Sequence, residues 1–204
     1  MLTKICGLGE ANQVKTCLEY GASMCGFILF YPKSHRNLSV QKVSELTSVK
    51  NSKSNVAVMV DPSKSNLEKI RDLNFHYYQI YGDQDPAEIN EIKKRNNVKI
   101  IKALTIETGK DVLKYKKYEA VSDIILFDSI GREKSLSFDH SLLKDVPKNI
   151  IKMIAGNIQV QDLEKISKIA DIVDVSGAVE TEKKKDLTKI KELLLKVKEI
   201  NELN

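Results

Sequence analysis

The sequence predicts an α/β protein: a compact, single-domain (β/α)8 barrel over residues 1–204 with a parallel eight-stranded core. Three observations predict it. Short β-rich runs alternate with 3.6-period amphipathic stretches along the whole chain. Most of those runs are apolar on both faces, as parallel strands covered by helices are. Eight βα units in 204 residues average about 25 residues each, which suits a barrel with few insertions. An open doubly wound sheet is the competing arrangement for the same alternation.

The elements follow in order. The first strand is expected at Leu2–Cys6, before a helix whose Ala11, Val14, Cys17 and Leu18 share a face. Met24–Leu29 is the second, before Val40, Val43 and Leu46, with Ser39 placed to cap that helix. Asn55–Val60 is the third; Asp61-Pro62-Ser63 then starts a helix carrying Leu67 and Ile70. Tyr77–Ile80 is the fourth, and Asp85-Pro86 puts proline at the first position of a helix carrying Ile89 and Ile92. The fifth and sixth strands, Lys99–Ala103 and Ile124–Phe127, precede fainter helical patterns near Lys110–Lys117 and Asp139–Lys144. Lys152–Ala155 is the seventh, before a stripe of Val160, Leu163, Ile166 and Ile169. Ile172–Val175 is the eighth; Asp186 then caps a helix with Leu187, Ile190, Leu194, Val197 and Ile200 on one side.

Composition excludes several classes. Apolar residues make up 42% and charged residues 30%, which is globular and not disordered. The longest apolar run, around Cys25–Tyr31, is strand-sized, so no membrane partner is expected. The start, Met1-Leu-Thr-Lys-Ile-Cys-Gly, lacks the basic-then-apolar order of a secretory leader. The 33 basic and 28 acidic residues leave a net charge of +5. They are interleaved, so the basic face of a nucleic-acid binder is missing; Lys183-Lys184-Lys185 runs straight into Asp186. A mildly positive protein suits an anionic small-molecule substrate. The three cysteines, Cys6, Cys17 and Cys25, match no zinc spacing, and there are only three histidines. No structural metal is expected, and the cysteine usage points to the reducing cytoplasm. No exposed apolar stripe is evident, and a monomer is expected.

In a barrel, chemistry sits where strands end and βα loops begin. Cys6 ends the first strand and is followed by Gly7. A buried cysteine is often an inert small hydrophobe, but at a barrel mouth Lys4 or Arg36 can lower its pKa and supply a thiolate base. Cys17 and Cys25 read as core. Asp128 follows four apolar residues and starts a loop, as a helix cap or as an acid whose pKa burial would raise. Gly156-Asn157 and Ser176-Gly177 follow strands seven and eight, where such barrels bind phosphate, although glycines there also make plain turns. Arg36, beside Lys33 and Ser34, can fork onto a carboxylate or simply be solvated. His35 and His140 receive no role.

These residues spell a family. Lys4-Ile5-Cys6-Gly7, Gly26-Phe27-Ile28, Phe30-Tyr31-Pro32-Lys33-Ser34-His35-Arg36, Asp128-Ser129, Ala155-Gly156-Asn157 and Asp174-Val175-Ser176-Gly177, with Glu180 and Lys185-Asp186, resemble the phosphoribosylanthranilate isomerases of tryptophan biosynthesis. The resemblance covers the whole chain. It implies a cofactor-free barrel that converts N-(5-phosphoribosyl)anthranilate to 1-(2-carboxyphenylamino)-1-deoxyribulose 5-phosphate by an Amadori rearrangement. It implies Cys6 as general base, Asp128 as general acid and Arg36 on the anthranilate carboxylate. It puts Gly156, Asn157, Ser176 and Gly177 on the phosphate and Asp174 facing the pocket.

The sequence departs from the family at four places. The Gly-Gly-(Thr or Ser)-Gly loop after the strand-six Asp reads Ile130-Gly131-Arg132-Glu133-Lys134-Ser135, where Arg132 or Lys134 can substitute as an anion contact. Leu-His-Gly reads Ile80-Tyr81-Gly82, Phe-Asp-Trp reads Phe138-Asp139-His140, and Ser-Ser-Gly reads Ser176-Gly177-Ala178. Two other readings compete. A histidine-pathway aldose–ketose isomerase would typically use two Asp, whereas strand one offers Cys6. A barrel that binds a phosphorylated ligand without turnover is motivated by the altered sixth loop.

Overall fold

The computed structural model describes residues 1–49, 54–130 and 136–203. Eight parallel strands form the core: β1 (Leu2–Cys6), β2 (Met24–Leu29), β3 (Asn55–Val60), β4 (Tyr77–Tyr81), β5 (Lys99–Ile106), β6 (Ile124–Ser129), β7 (Lys152–Ile154) and β8 (Ile172–Val175). Each pairs with the next, and β1 pairs with both β8 and β2, so the sheet closes into a TIM barrel and no open edge remains. The doubly wound alternative is thereby excluded. The pair Asn37–Leu38 extends the upper end of β2, where β1 has already stopped.

The two-residue period of the strands divides the core in two. Met24, Val56, Val58, Ile101, Leu126, Met153 and Ile172 fill the barrel interior. Ile5, Phe27, Met59, Ile80, Phe127, Ile154 and Val173 face outward into the shell under the helices. Strands apolar on both faces are the consequence. Each such side chain contributes roughly 1.5–3 kcal/mol on burial.

The helices are α1 (Ala11–Glu19), α2 (Val40–Thr47), α3 (Lys64–Ile70), α4 (Pro86–Asn96), α5 (Gly109–Val112), α6 (Tyr115–Tyr118), α7 (Leu163–Ile166) and α8 (Leu187–Leu203). Ser39 caps α2 by accepting from the Lys42 N–H, and Ser63 caps α3 by accepting from Asn66. Pro86 opens α4, which ends on Asn97 in the left-handed region at φ 50°. Asp186 accepts from the Thr188 and Lys189 N–H groups at the head of α8. That helix buries Ile190, Leu194, Val197 and Ile200 and reaches back to the chain start, where Asn201 pairs with Met1.

Three expectations need correction. Asp128 does not start a loop: it lies inside β6, because β5 runs on to Ile106 and continues the ladder through Thr105–Asp128 and Ile106–Ser129. Among the described residues after β6, the stretch expected as a helix at Asp139–Lys144 is a 3₁₀ turn at His140–Leu143, with Asp139 accepting from the Ser141 N–H. Val160 is exposed and belongs to a 3₁₀ turn, Val160–Asp162, instead of the α7 stripe; the Asp162 carboxylate takes the Gln159 N–H and turns the chain there.

Candidate active site

The carboxyl ends of the strands open into one cavity. Cys6, Arg36, Asp128, Gly156, Asn157, Asp174, Ser176 and Gly177 all line it, so every site residue expected from the sequence meets in one place. Apolar walls come from Ile28, Val58 and Val60, and Tyr81 closes one side. Cys6, Asp128 and Asp174 are placed by the same parity, pointing inward from β1, β6 and β8. Arg132 and Lys134 lie outside the described residues.

Asp128 is 8% exposed. The Tyr81 hydroxyl donates to its Oδ2 at 2.7 Å. Burial pushes the Asp128 carboxyl up to about 6, and the nearby Asp174 charge adds to that; Tyr81, the Ser129 N–H and Lys4 oppose it. The expected upward shift is therefore present. Burial, and then the Asp128 charge, hold the Tyr81 phenol well above its usual range, so it stays a donor.

Lys4 is the Cα partner of Asp174 across the β1–β8 ladder, and their side chains meet inside the barrel with Nζ–Oδ2 at 2.7 Å. Burial opposes the Lys4 charge, but Asp174 and Cys6 outweigh it and leave its pKa raised. Gly26, the Cα partner of Cys6, leaves the room that Lys4 Nζ and Cys6 Sγ occupy. The Cys6 thiol, however, is pushed up and not down. Burial dominates, Asp174 adds to it, and the opposing pull of Lys4 and Lys185 is smaller. The expectation that Lys4 or Arg36 would lower it fails because desolvation of the buried thiolate outweighs the pull of Lys4, and the Asp174 charge adds to burial. Arg36, for its part, is turned toward Glu180.

That contact organises the rim. Arg36 donates from Nε to Glu180 Oε1 at 2.6 Å and from Nη2 to Oε2 at 2.7 Å. Lys185 Nζ adds a bond to Oε1 at 2.6 Å, and His35 lies 3.5 Å from Oε2. Burial opposes the Glu180 charge, yet Arg36 and Lys185 hold its pKa down at about 2. Gly7, at φ +77°, lets Arg36 cross β1; a Cβ there would collide with Arg36 Cδ. Glu180 sits where a turn at Gly177–Val179 enters a small hairpin, Glu180–Thr181 against Lys184–Lys185. The hairpin thus fixes the arginine of a loop 144 residues away in sequence.

The two glycine loops are shaped by their backbones. Gly156 and Asn157 take φ of +104° and +50° in succession, and a Cβ on Gly156 would lie 2.5 Å from Ser129 Oγ. Ser176 donates from Oγ to the Cys6 carbonyl at 3.0 Å, and Lys185 donates to the Ser176 carbonyl at 2.9 Å. Loop eight is thereby tied to strand one. Among the described residues no group of three or more His, Cys, Asp or Glu could hold a metal.

The sequence reading gave no role to Tyr81, although it stood at a strand end, the signal that found Cys6 and Asp128. Lys4, two residues before Cys6 and so on the same inward face, was expected only to lower the thiol pKa, and its pairing with Asp174 was not foreseen. Glu180 and Lys185 entered only through the family resemblance, without a role, because their contacts depend on a distant loop.

The site belongs to a recognisable group. A family model described as N-(5'phosphoribosyl)anthranilate (PRA) isomerase matches residues 3–196. An N-(5'-phosphoribosyl)anthranilate isomerase of Bacillus cereus is 34% identical over 209 residues, covering 96% of this chain and 98% of its own. One from Zymomonas mobilis is 30% identical over 210 residues, covering 96% and 97%. The crystal structure of phosphoribosyl anthranilate isomerase from Thermotoga maritima superposes with a TM-score of 0.85 at 25% identity, over 98% of this chain and 100% of that one.

Proposed function

The chain belongs to the N-(5'-phosphoribosyl)anthranilate isomerase family, and we propose that it runs that family's step of tryptophan biosynthesis with Asp128 as acid and Cys6 as base. The observation that carries this reading is the single cavity that joins both residues to Arg36 and to the two glycine loops.

Protonated Asp128 gives its proton to the ribose ring oxygen. The C1′–O bond breaks toward that oxygen, and the anthranilate nitrogen lone pair forms a C1′=N iminium. Cys6 thiolate then takes the C2′ proton. The freed electron pair makes the C1′=C2′ bond and neutralises the nitrogen, giving an enolamine that tautomerises to the ketone. Asp128 ends ionised and Cys6 protonated. Arg36 holds the anthranilate carboxylate, while Gly156, Asn157, Ser176 and Gly177 receive the phosphate. Anchors at both ends set the reacting carbons between acid and base. Asp174 holds Lys4 with one oxygen; its Oδ1 is buried in the pocket wall with no hydrogen bond, a ready acceptor for a ribose hydroxyl.

The test follows loss of fluorescence from freshly made phosphoribosylanthranilate. Intact protein should accelerate it with formation of the ribulose product, and Asp128→Asn and Cys6→Ser should each abolish formation of that product. Intact protein no faster than both variants would overturn this reading in favour of another phosphosugar substrate or a phospholigand-binding role. We also propose a cytoplasmic location, which the three free thiols support, and a monomer, which the scattered positions of the exposed large apolar side chains among the described residues support. Sedimentation at a mass other than 23.0 kDa would count against the monomer.

A further inference from the structure

Tyr81 and Gln79 stand two residues apart on β4, both pointing into the barrel, where their neighbours are Val58, Ile101 and Ala103. Gln79 is fully buried, and its amide Nε2 donates to the Tyr81 hydroxyl at 3.3 Å. A buried amide in an apolar layer is unfavourable unless its hydrogen bonds are met. Here the Nε2 bond goes to a hydroxyl that itself reaches Asp128 Oδ2 at 2.7 Å, while Gln79 Oε1 is buried with no hydrogen bond. The order matters. Gln79 fills the accepting side of the phenol oxygen, so the phenol's own hydrogen is directed at Asp128.

From this chain of bonds we infer that Tyr81 is a positioning residue for the acid: it holds Oδ2 as an acceptor and leaves the transferable proton to Oδ1. The inference rests on the reading of Asp128 as the acid. A tyrosine hydroxyl donates one hydrogen only, and a neutral carboxyl accepts best at its carbonyl oxygen, so a bond into Oδ2 favours its own proton on the other oxygen. Without Tyr81 the proton can sit on either oxygen, and the carboxyl can turn. The charged and titratable groups around Asp128 are Asp174 from β8, Lys4 and Cys6 from β1, and Tyr81 from β4. Tyr81 is the one that grips a carboxyl oxygen directly. Its bond also favours the ionised form and so works against burial.

The experiment compares the parent, Tyr81→Phe and Tyr81→His by kcat and KM for phosphoribosylanthranilate across pH 5–10. It adds a carbon NMR titration of the labelled Asp128 carboxyl. In Tyr81→Phe, kcat should fall about tenfold with KM within about threefold, the weight of one hydrogen bond to a charged group. The Asp128 titration should move up from about 6 by about one unit. Tyr81→His, which keeps an N–H donor, should restore part of both. A lower kcat with an unmoved Asp128 titration would make Tyr81 a space filler and overturn the proposal. So would an unchanged kcat. Should Tyr81→Phe not fold, Gln79→Leu keeps the ring, and the same upward direction is required of it. If Asp128→Asn retains activity, the reading of the acid fails; if it is inactive while Tyr81→Phe shifts nothing, only the role of Tyr81 fails.

Discussion

Asp128→Asn should stabilise the fold at neutral pH while removing activity. The carboxyl titrates at about 6 in the folded protein against a reference of 3.8, and burial is the main cause. A carboxyl whose folded pKa lies above its unfolded value weakens the fold wherever it is ionised. That penalty is absent below about 4, grows between about 4 and 6, and is complete above. Two units at 1.36 kcal/mol per unit make it about 3 kcal/mol. Asparagine keeps the shape and an oxygen for the Tyr81 hydroxyl, so the variant loses the charge and little else. Urea unfolding of both proteins from pH 4 to pH 8 measures it. The difference in unfolding free energy, variant over parent, should grow by about 3 kcal/mol across that range, a rise in Tm of roughly 6–12 °C for a chain this size. A difference that stays flat with pH would refute the argument, because desolvation of an ionised carboxylate is its only pH-dependent part. The gain belongs with the loss of function: a site group is held in an environment its charged form resists.

Two further outcomes follow from the same cluster. The profile of kcat/KM against pH should bend near 6, where Asp128 titrates, and bend again on the alkaline side, beyond the ordinary thiol range, where Cys6 does, measured with substrate well below KM; a profile with no bend near 6 would contradict the proposed acid. Lys4→Met leaves Asp174 as a buried, unpaired carboxylate and should lower unfolding free energy by about 3–5 kcal/mol, while Lys4→Met with Asp174→Leu should recover most of it. A single variant within about 1 kcal/mol of the parent in urea would show that the pair carries no such weight.

The strands were legible because their two-sided apolar pattern has one physical source, a barrel with helices outside. Four of the eight end where the local pattern does not, or gain residues beyond it: β5 runs to Ile106 and β6 to Ser129 because each continues the other's ladder. That is a pairing effect, invisible in either segment alone. Asp128 shows the consequence, since it was found by its place at a strand end and not by its place in the ladder. The candidate site was legible for a related reason: strand ends converge in a closed barrel, so Cys6, Asp128, Gly156 and Ser176 had to meet. What was not legible is the balance of charges. Lys4 beside Cys6 suggests a lowered thiol pKa until Asp174, 170 residues away in sequence, is placed against the same lysine. Glu180 likewise acquires its role only when the hairpin meets the Arg36 loop.

Burial acts on the two proposed catalytic groups in the same sense, with opposite consequences for their proposed roles. It favours neutral Asp128, which an acid needs, and neutral Cys6, which a base does not. With the acid pushed up only to about 6 and the thiol pushed up from an already higher starting point, the gap between them leaves few free sites with both groups in their working states at once. The reaction itself can close that gap. Once Asp128 has opened the ring, the iminium places a positive charge one bond from the carbon whose proton Cys6 removes. A unit charge at about 4 Å and an effective dielectric of about 20 is worth about 4 kcal/mol, roughly three pKa units. The thiolate is thus made when it is needed, and ring opening must come first. Cys6→Ser should therefore still open the ring, with water capturing the iminium and releasing free anthranilate faster than the uncatalysed rate. Asp128→Asn should release none above background. Chromatography of the products distinguishes the two, and equal background rates for both variants would show that acid and base act in one step.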